Sequence, residues 1–106
     1  MGDGYNVSAD ELRSALEKGE DVSIVDVREE WEFSRYRIRN SRCLPLSAFA
    51  SSFRSIPKEG KVIFVCEVGG RSEQAVQFLR NRGWRNVSNL EGGISSWMQA
   101  GFELDG

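Results

Sequence analysis

Two hydrophobic rhythms alternate along the chain. Residues 22–26 and 61–66, the latter reading Lys61-Val62-Ile63-Phe64-Val65-Cys66, are nearly continuous apolar runs rich in β-branched residues, the pattern of strands covered on both faces. Elsewhere the apolar positions fall at helical spacing. Ser8 with Glu11 makes a capping-box pattern ahead of Leu12, Ala15 and Leu16, and Gly19 follows as a stop. Ala75, Val76, Phe78 and Leu79 predict a helix over 71–82 that Gly83 closes, and Ile94, Trp97 and Met98 at i, i+3, i+4 mark a last one. Weaker signals place short helices at 29–35 and 47–54, and short strands at 42–44, ended by Pro45, and at 86–89. The turn residues at 57–60 lead into the second apolar run. Residues 1–5 are Gly-rich and polar, and are expected to be a frayed end or a cloning remnant. Strands alternating with helices predict an α/β fold: a mainly parallel central sheet of about five short strands, flanked by helices on both faces.

Length and composition narrow the function. A chain of 106 residues is expected to form a single domain with one core, and no repeat or linker divides it. A net charge of -2 and an isoelectric point near 5.2 give no basic field for nucleic acid. No apolar stretch is long enough to span a bilayer and no signal segment opens the chain, so no membrane is expected and the cytoplasm is the default location. Two cysteines suit a reducing compartment, and their positions, 43 and 66, match no zinc pattern. The chain holds no histidine, which excludes a Cys-His pair, a Ser-His-Asp triad and imidazole metal sites. Neither metal nor cofactor is expected.

The most informative stretch is Cys66-Glu67-Val68-Gly69-Gly70-Arg71-Ser72, which joins the end of a buried strand to the start of a helix. In an open α/β sheet ligands bind at that edge, because unpaired N–H groups and the helix dipole favour negative charge. A lone cysteine there is ordinarily a small hydrophobe. The glycine pair, the arginine and the strand-to-helix placement argue instead for a reactive thiol in an anion cradle. The N–H groups and Arg71 would favour the thiolate of Cys66, and Gly69 and Gly70 would let successive N–H groups turn inward. With no histidine available, backbone, arginine or a helix end must activate the thiol.

Three segments, in order, resemble the rhodanese domains, the sulfurtransferase family. They are Asp26-Val27-Arg28 with Glu29, Trp31, Glu32 and Phe33; the loop from Cys66 to Ser72; and Asn89-Leu90-Glu91-Gly92-Gly93 with Trp97. The resemblance runs from about Val7 to Gly101. It implies an enzyme of the thiosulfate:cyanide sulfurtransferase kind. Cys66 takes sulfane sulfur from a small donor, holds it as a persulfide and passes it to cyanide or a thiol. It also implies that Arg71 orients the anion and that Glu67, Val68, Gly69, Gly70 and Ser72 line the cradle. Asp26 and Arg28, on the same side of the sheet, are counted with the donor-binding residues, although an ion pair or loop-fixing hydrogen bonds are the first reading of that pair. The Cys-x-Val-Gly-x-Arg form also looks like the loop of rhodanese domains fused to coenzyme A disulfide reductases.

Tyrosine phosphatases and arsenate reductases place five residues between cysteine and arginine. Here four intervene, and Val65 stands where phosphatases commonly carry histidine, so a phosphatase is the weaker reading. A non-catalytic rhodanese-like binding module is the other alternative. Many rhodaneses carry Gly-His-Ile-Pro-Gly-Ala where this chain has Tyr36-Arg37-Ile38-Arg39-Asn40-Ser41. Arg35, Arg37, Arg39 and Arg42 are expected to be a solvated face balanced by Glu29, Glu30 and Glu32, with docking of an anionic carrier or protein partner as the alternative. Glu67 beside the thiol should repel a dianion, which predicts poor use of thiosulfate and a persulfide or polysulfide as the better donor. Cys43 is expected to be a buried structural thiol, with a resolving partner for Cys66 as the alternative, and Trp31, Trp84 and Trp97 packing aromatics. Ser72 is open between a helix-start residue and a hydroxyl donor to sulfur.

Overall fold

The computed structural model describes residues 5–106. Five strands, β1 (Asn6–Val7), β2 (Val22–Asp26), β3 (Arg42–Cys43), β4 (Lys61–Val65) and β5 (Val87–Leu90), form one sheet in the order β1-β5-β4-β2-β3, every pair parallel. Five helices connect them: α1 (Ala9–Glu17), α2 (Glu30–Arg35), α3 (Phe49–Ser52), α4 (Gly70–Arg80) and α5 (Gly93–Gln99). The expected α/β architecture is the observed one.

The alternation along β4 explains why helices cover both faces. Val62, Phe64 and the following Cys66 point into a cluster with Phe49, Phe53, Ala75, Val76, Leu79 and Trp84, beneath α3 and α4. Ile63 and Val65 point the other way, among Ala9, Leu12, Leu90, Ile94 and Trp97 of the α1 and α5 side. Cys66 therefore continues the strand's apolar face while its main chain has left the ladder. Parallel pairing also aligns the strand ends. Asp26 of β2 pairs with Val65 of β4, so the loops after β2, β4 and β5 meet at one carboxyl edge.

Local signals are mostly confirmed. Ser8 Oγ accepts from Glu11 N–H at 3.0 Å and Glu11 Oε1 accepts from Ser8 N–H at 2.8 Å, the expected capping box. The helix expected at 47–54 is instead a 3₁₀ turn, the four residues of α3 and a second 3₁₀ turn. Its apolar residues Phe49, Phe53 and Ile56 are all buried, so packing rather than helical propensity places this segment. β1 has no strong hydrophobic signature, because an edge strand needs only its backbone to pair. The expected frayed end lies, except for Tyr5, outside the described residues. Tyr5 itself is held: its carbonyl accepts from Asn89 N–H and its ring lies 3.4 Å beneath the Arg80 guanidinium. Among the described residues no helix is long and apolar enough to cross a membrane.

Candidate active site

The loop after β4 folds around the Cys66 sulfur. Gly69 N–H donates to Sγ at 3.1 Å, Ser72 N–H at 3.4 Å, and Ser72 Oγ lies at 3.3 Å. Gly69 adopts φ 105°, a left-handed conformation at the N-cap of α4 that turns its N–H inward. Gly70, expected to need the same freedom, does not: it takes helical backbone as the first residue of α4, and a Cβ there would meet nothing within 4 Å. Ser72, left open between two roles, serves both, since it lies in the first turn of α4 and approaches sulfur with N–H and hydroxyl. Its single hydroxyl proton has three acceptors, Sγ, Gly69 O at 3.2 Å and Asn89 Oδ1. Asn89 is in turn fixed by donating from Nδ2 to Asn6 Oδ1 at 3.1 Å, which ties the cradle to the sheet edge. The two backbone N–H groups are permanent donors to the sulfur, and Ser72 is a switchable one.

The loop's carbonyls are satisfied from behind. Ile94 N–H donates to Cys66 O at 2.9 Å and Ser95 N–H to Glu67 O at 3.0 Å, both from the first turn of α5. These two bonds anchor the start of the loop against α5, ahead of the Gly69 and Ser72 N–H groups that face the sulfur. The segment holding Asn89 and Gly93, which matches the family's closing motif, thus supports the cradle from behind, a role that its resemblance alone does not assign. Its signal was the Gly92-Gly93 pair ahead of a helix.

Arg71 lies in the first turn of α4. Its guanidinium does not donate to the sulfur; it forms a two-point pair with Glu32, at 2.8 Å to Oε1 and 2.9 Å to Oε2. Glu32 Oε1 also accepts from Glu29 N–H at 2.9 Å, so the carboxylate is anchored to the start of α2. Hydrogen bonding from Arg71 holds the Glu32 carboxyl down, from 4.5 to about 2. A depressed folded-state value contributes stability in full above the unfolded value and loses it as pH falls from about 4.5 to about 2. Glu32→Gln should therefore cost about 1 kcal/mol near neutral pH, and the gap to the parent should close across that acid window. Thermal melts at several pH values check this; a pH-independent gap would overturn it.

Asp26 and Arg28 form a buried ion pair. Asp26 is 0% and Arg28 1% exposed, and both carboxylate oxygens accept from the guanidinium at 2.9 to 3.1 Å. The same guanidinium donates to Tyr36 O at 2.6 Å and stands 3.6 Å from Glu67 Oε1. Tyr36 Oη donates to that Glu67 oxygen at 2.9 Å, which holds the phenol above its ordinary pKa. Glu67 is thus clamped between Tyr36 and Arg28, not free at the rim. Val68, at the tip of the loop, is 67% exposed.

Other expectations are settled by position. Trp84 and Trp97 are buried, donating to Ile56 O and Glu103 O, whereas Trp31 is 63% exposed on α2, because that six-residue helix buries no side chain. The arginines do not share one acidic face: Arg39 pairs with Asp105, Arg37 lies over Phe33, Arg42 reaches Ser55, and Glu32 is taken by Arg71. Cys43 is half-buried and not buried as expected, because β3 is a two-residue edge strand, and it pairs in register with Asp26, which pairs with Val65. Two strand spacings of about 4.8 Å each separate it from the Cys66 strand, beyond the roughly 7 Å that a disulfide bridges. Burial, with Asp26 nearby, pushes the Cys43 thiol up to about 11.

The chain is similar in sequence and in fold to known proteins. A sulfurtransferase of Allochromatium vinosum is 33% identical over 98 residues, 92% of each chain. A rhodanese-related protein from Thermoplasma volcanium superposes with a TM-score of 0.86 at 30% identity, covering 94% of this chain and 96% of that one. The reduced form of Bacillus anthracis CoADR-RHD has a TM-score of 0.77 at 26% identity, over 87% of this chain but 16% of that longer one. The model of the rhodanese-like domain matches residues 8–100, and the chain belongs to that family.

Proposed function

We propose that the chain is a rhodanese-type sulfurtransferase that carries sulfane sulfur as a persulfide on Cys66. The observation that carries the reading is the set of donors converging on Cys66 Sγ, two backbone N–H groups and one hydroxyl, with no side-chain base among them. Such a ring stabilises a sulfur anion and needs no proton acceptor. The Cys66 thiolate attacks the outer sulfur of the donor; the donor's S–S or S–SO₃ bond breaks as the new S–S bond forms, and a thiolate or sulfite leaves with the electron pair. Cyanide or an acceptor thiol then removes the outer sulfur and regenerates the Cys66 thiolate. Arg71, neutralised by Glu32, acts by fixing the loop against α2 and not as a free cation. The four-residue spacing between Cys66 and Arg71 also supports sulfur over a phosphoryl group.

The charges around the loop support a persulfide or polysulfide donor over thiosulfate. Arg28 and Arg71 are both committed to carboxylates, so little net positive charge is left near the sulfur for a dianion. Intact mass spectrometry after exposure to thiosulfate, inorganic polysulfide or an organic persulfide tests the function. The expected result is a gain of one sulfur atom, removed by cyanide and mapped to the Cys66 peptide. No adduct with any donor would leave a non-catalytic binding module as the better reading.

A further inference from the structure

Beside the cradle opens a cleft of about 160 Å³ lined by Arg28, Trp31, Glu32, Arg35, Tyr36 and Glu67. It begins one residue from Cys66. Its inner wall carries Arg28, Glu32 and Glu67, and with the buried Asp26 and the Arg71 that pairs with Glu32 three carboxylates stand against two guanidiniums. Its outer edge has the opposite character. Arg35 is exposed and has no ion-pair partner among the described residues, and the exposed Trp31 offers an indole wall next to it. A donor that fits must present a weakly charged sulfur end inward and an anion outward, with an apolar stem between them. The cleft is small and open to solvent on one side, so it would seat an amino-acid head group and leave the rest of a longer carrier outside.

We propose that this cleft seats the carrier half of the sulfur donor, an amino-acid or small-peptide persulfide whose carboxylate is met by Arg35 and whose stem lies on Trp31. The proposal rests on the sulfurtransferase reading and names its substrate class. In the step, Cys66 thiolate attacks the outer sulfur of R–S–SH, the donor S–S bond breaks, R–S⁻ leaves with its electron pair, and Cys66–S–SH remains. No oxidant or reductant is needed. The carrier thiolate departs from the cleft and not through the sulfur cradle.

The test is cyanide-coupled turnover with cysteine persulfide, glutathione persulfide and thiosulfate, on the parent, Arg35→Glu and Trp31→Ala. Both side chains are exposed, so the fold tolerates the changes. Arg35→Glu should raise KM for the organic persulfides about tenfold with kcat within about twofold and Trp31→Ala about threefold, and Trp31→Ala, which leaves the charge unchanged, should not impair thiosulfate. An effect on cysteine persulfide alone identifies an amino-acid carrier, and an effect extending to glutathione persulfide a peptide one; either supports the cleft. Equal effects on all three donors, or no effect on any, would overturn it. Failure of every donor to load Cys66 would instead defeat the sulfurtransferase reading itself.

Discussion

Gly93→Ala is expected to destabilise the protein by about 2–4 kcal/mol and to slow sulfur loading of Cys66 by about a hundredfold or more. Gly93 sits at φ 60°, where an L side chain is strained by roughly 1–2 kcal/mol. The strain is the smaller part. A Cβ there would lie 2.4 Å from Cys66 O and 2.7 Å from Glu67 C and O, all main-chain atoms of the cradle. Neither side can yield cheaply, because Ile94 and Ser95 N–H groups bind those same two carbonyls. Pushing α5 away would break both hydrogen bonds and release the Cys66 and Glu67 peptides, and the chain that leads from them to the Gly69 and Ser72 N–H donors would lose its anchor. Gly101→Ala separates strain from collision: φ there is 86°, but a Cβ would meet nothing within 4 Å. It should cost about 1 kcal/mol and leave loading intact. Chemical denaturation paired with the rate of persulfide formation measures both quantities. Equal stability losses in the two variants, or normal loading in Gly93→Ala, would show that the α5 contact does not shape the cradle.

The parts of the site legible in the sequence are those set by local rules. Cys66 at the end of an apolar β-branched run, followed by glycine and a helical period, fixes both the strand and the loop, because these depend on residues within a few positions of each other. The parallel order of the sheet follows from alternation of strands with helices. What escaped was the pairing between segments distant in the chain. Arg71 has a visible charge, but its partner Glu32 lies 39 residues earlier, and nothing local distinguishes Glu32 from Glu29 or Glu30 as that partner. Glu67 reads as an unshielded carboxylate until Tyr36, 31 residues earlier, is found donating to it. Trp31 reads as a core aromatic from its size. It is exposed because the motif places it on a short helix lying over the carboxyl edge of the sheet, outside both apolar layers.

Arg28→Met should cost about 3–5 kcal/mol, a large share of the 5–15 kcal/mol typical of a whole domain. The guanidinium serves four groups at once: Asp26 through Nε and Nη2, the Tyr36 carbonyl, the Tyr36 ring 5.1 Å away, and Glu67. Removing it leaves the Asp26 carboxylate at 0% exposure with no cation in contact, and that uncompensated burial dominates the cost. The pair itself gives little net stability, since desolvating both ions offsets most of their attraction. The double variant Asp26→Leu/Arg28→Met should therefore regain at least half of the loss. Urea midpoints of the parent, both single variants and the double form the cycle. A cost below about 1 kcal/mol, or a double variant worse than the sum of the singles, would show that the ion pair does not hold this corner of the site. The functional consequence has its own sign. Without Arg28, Glu67 keeps only the Tyr36 hydroxyl, and the inner wall of the cleft turns more negative beside Cys66. Any remaining folded Arg28→Met protein should lose thiosulfate loading more steeply than loading from an organic persulfide, because the dianion brings its charge nearest to the unbalanced carboxylates.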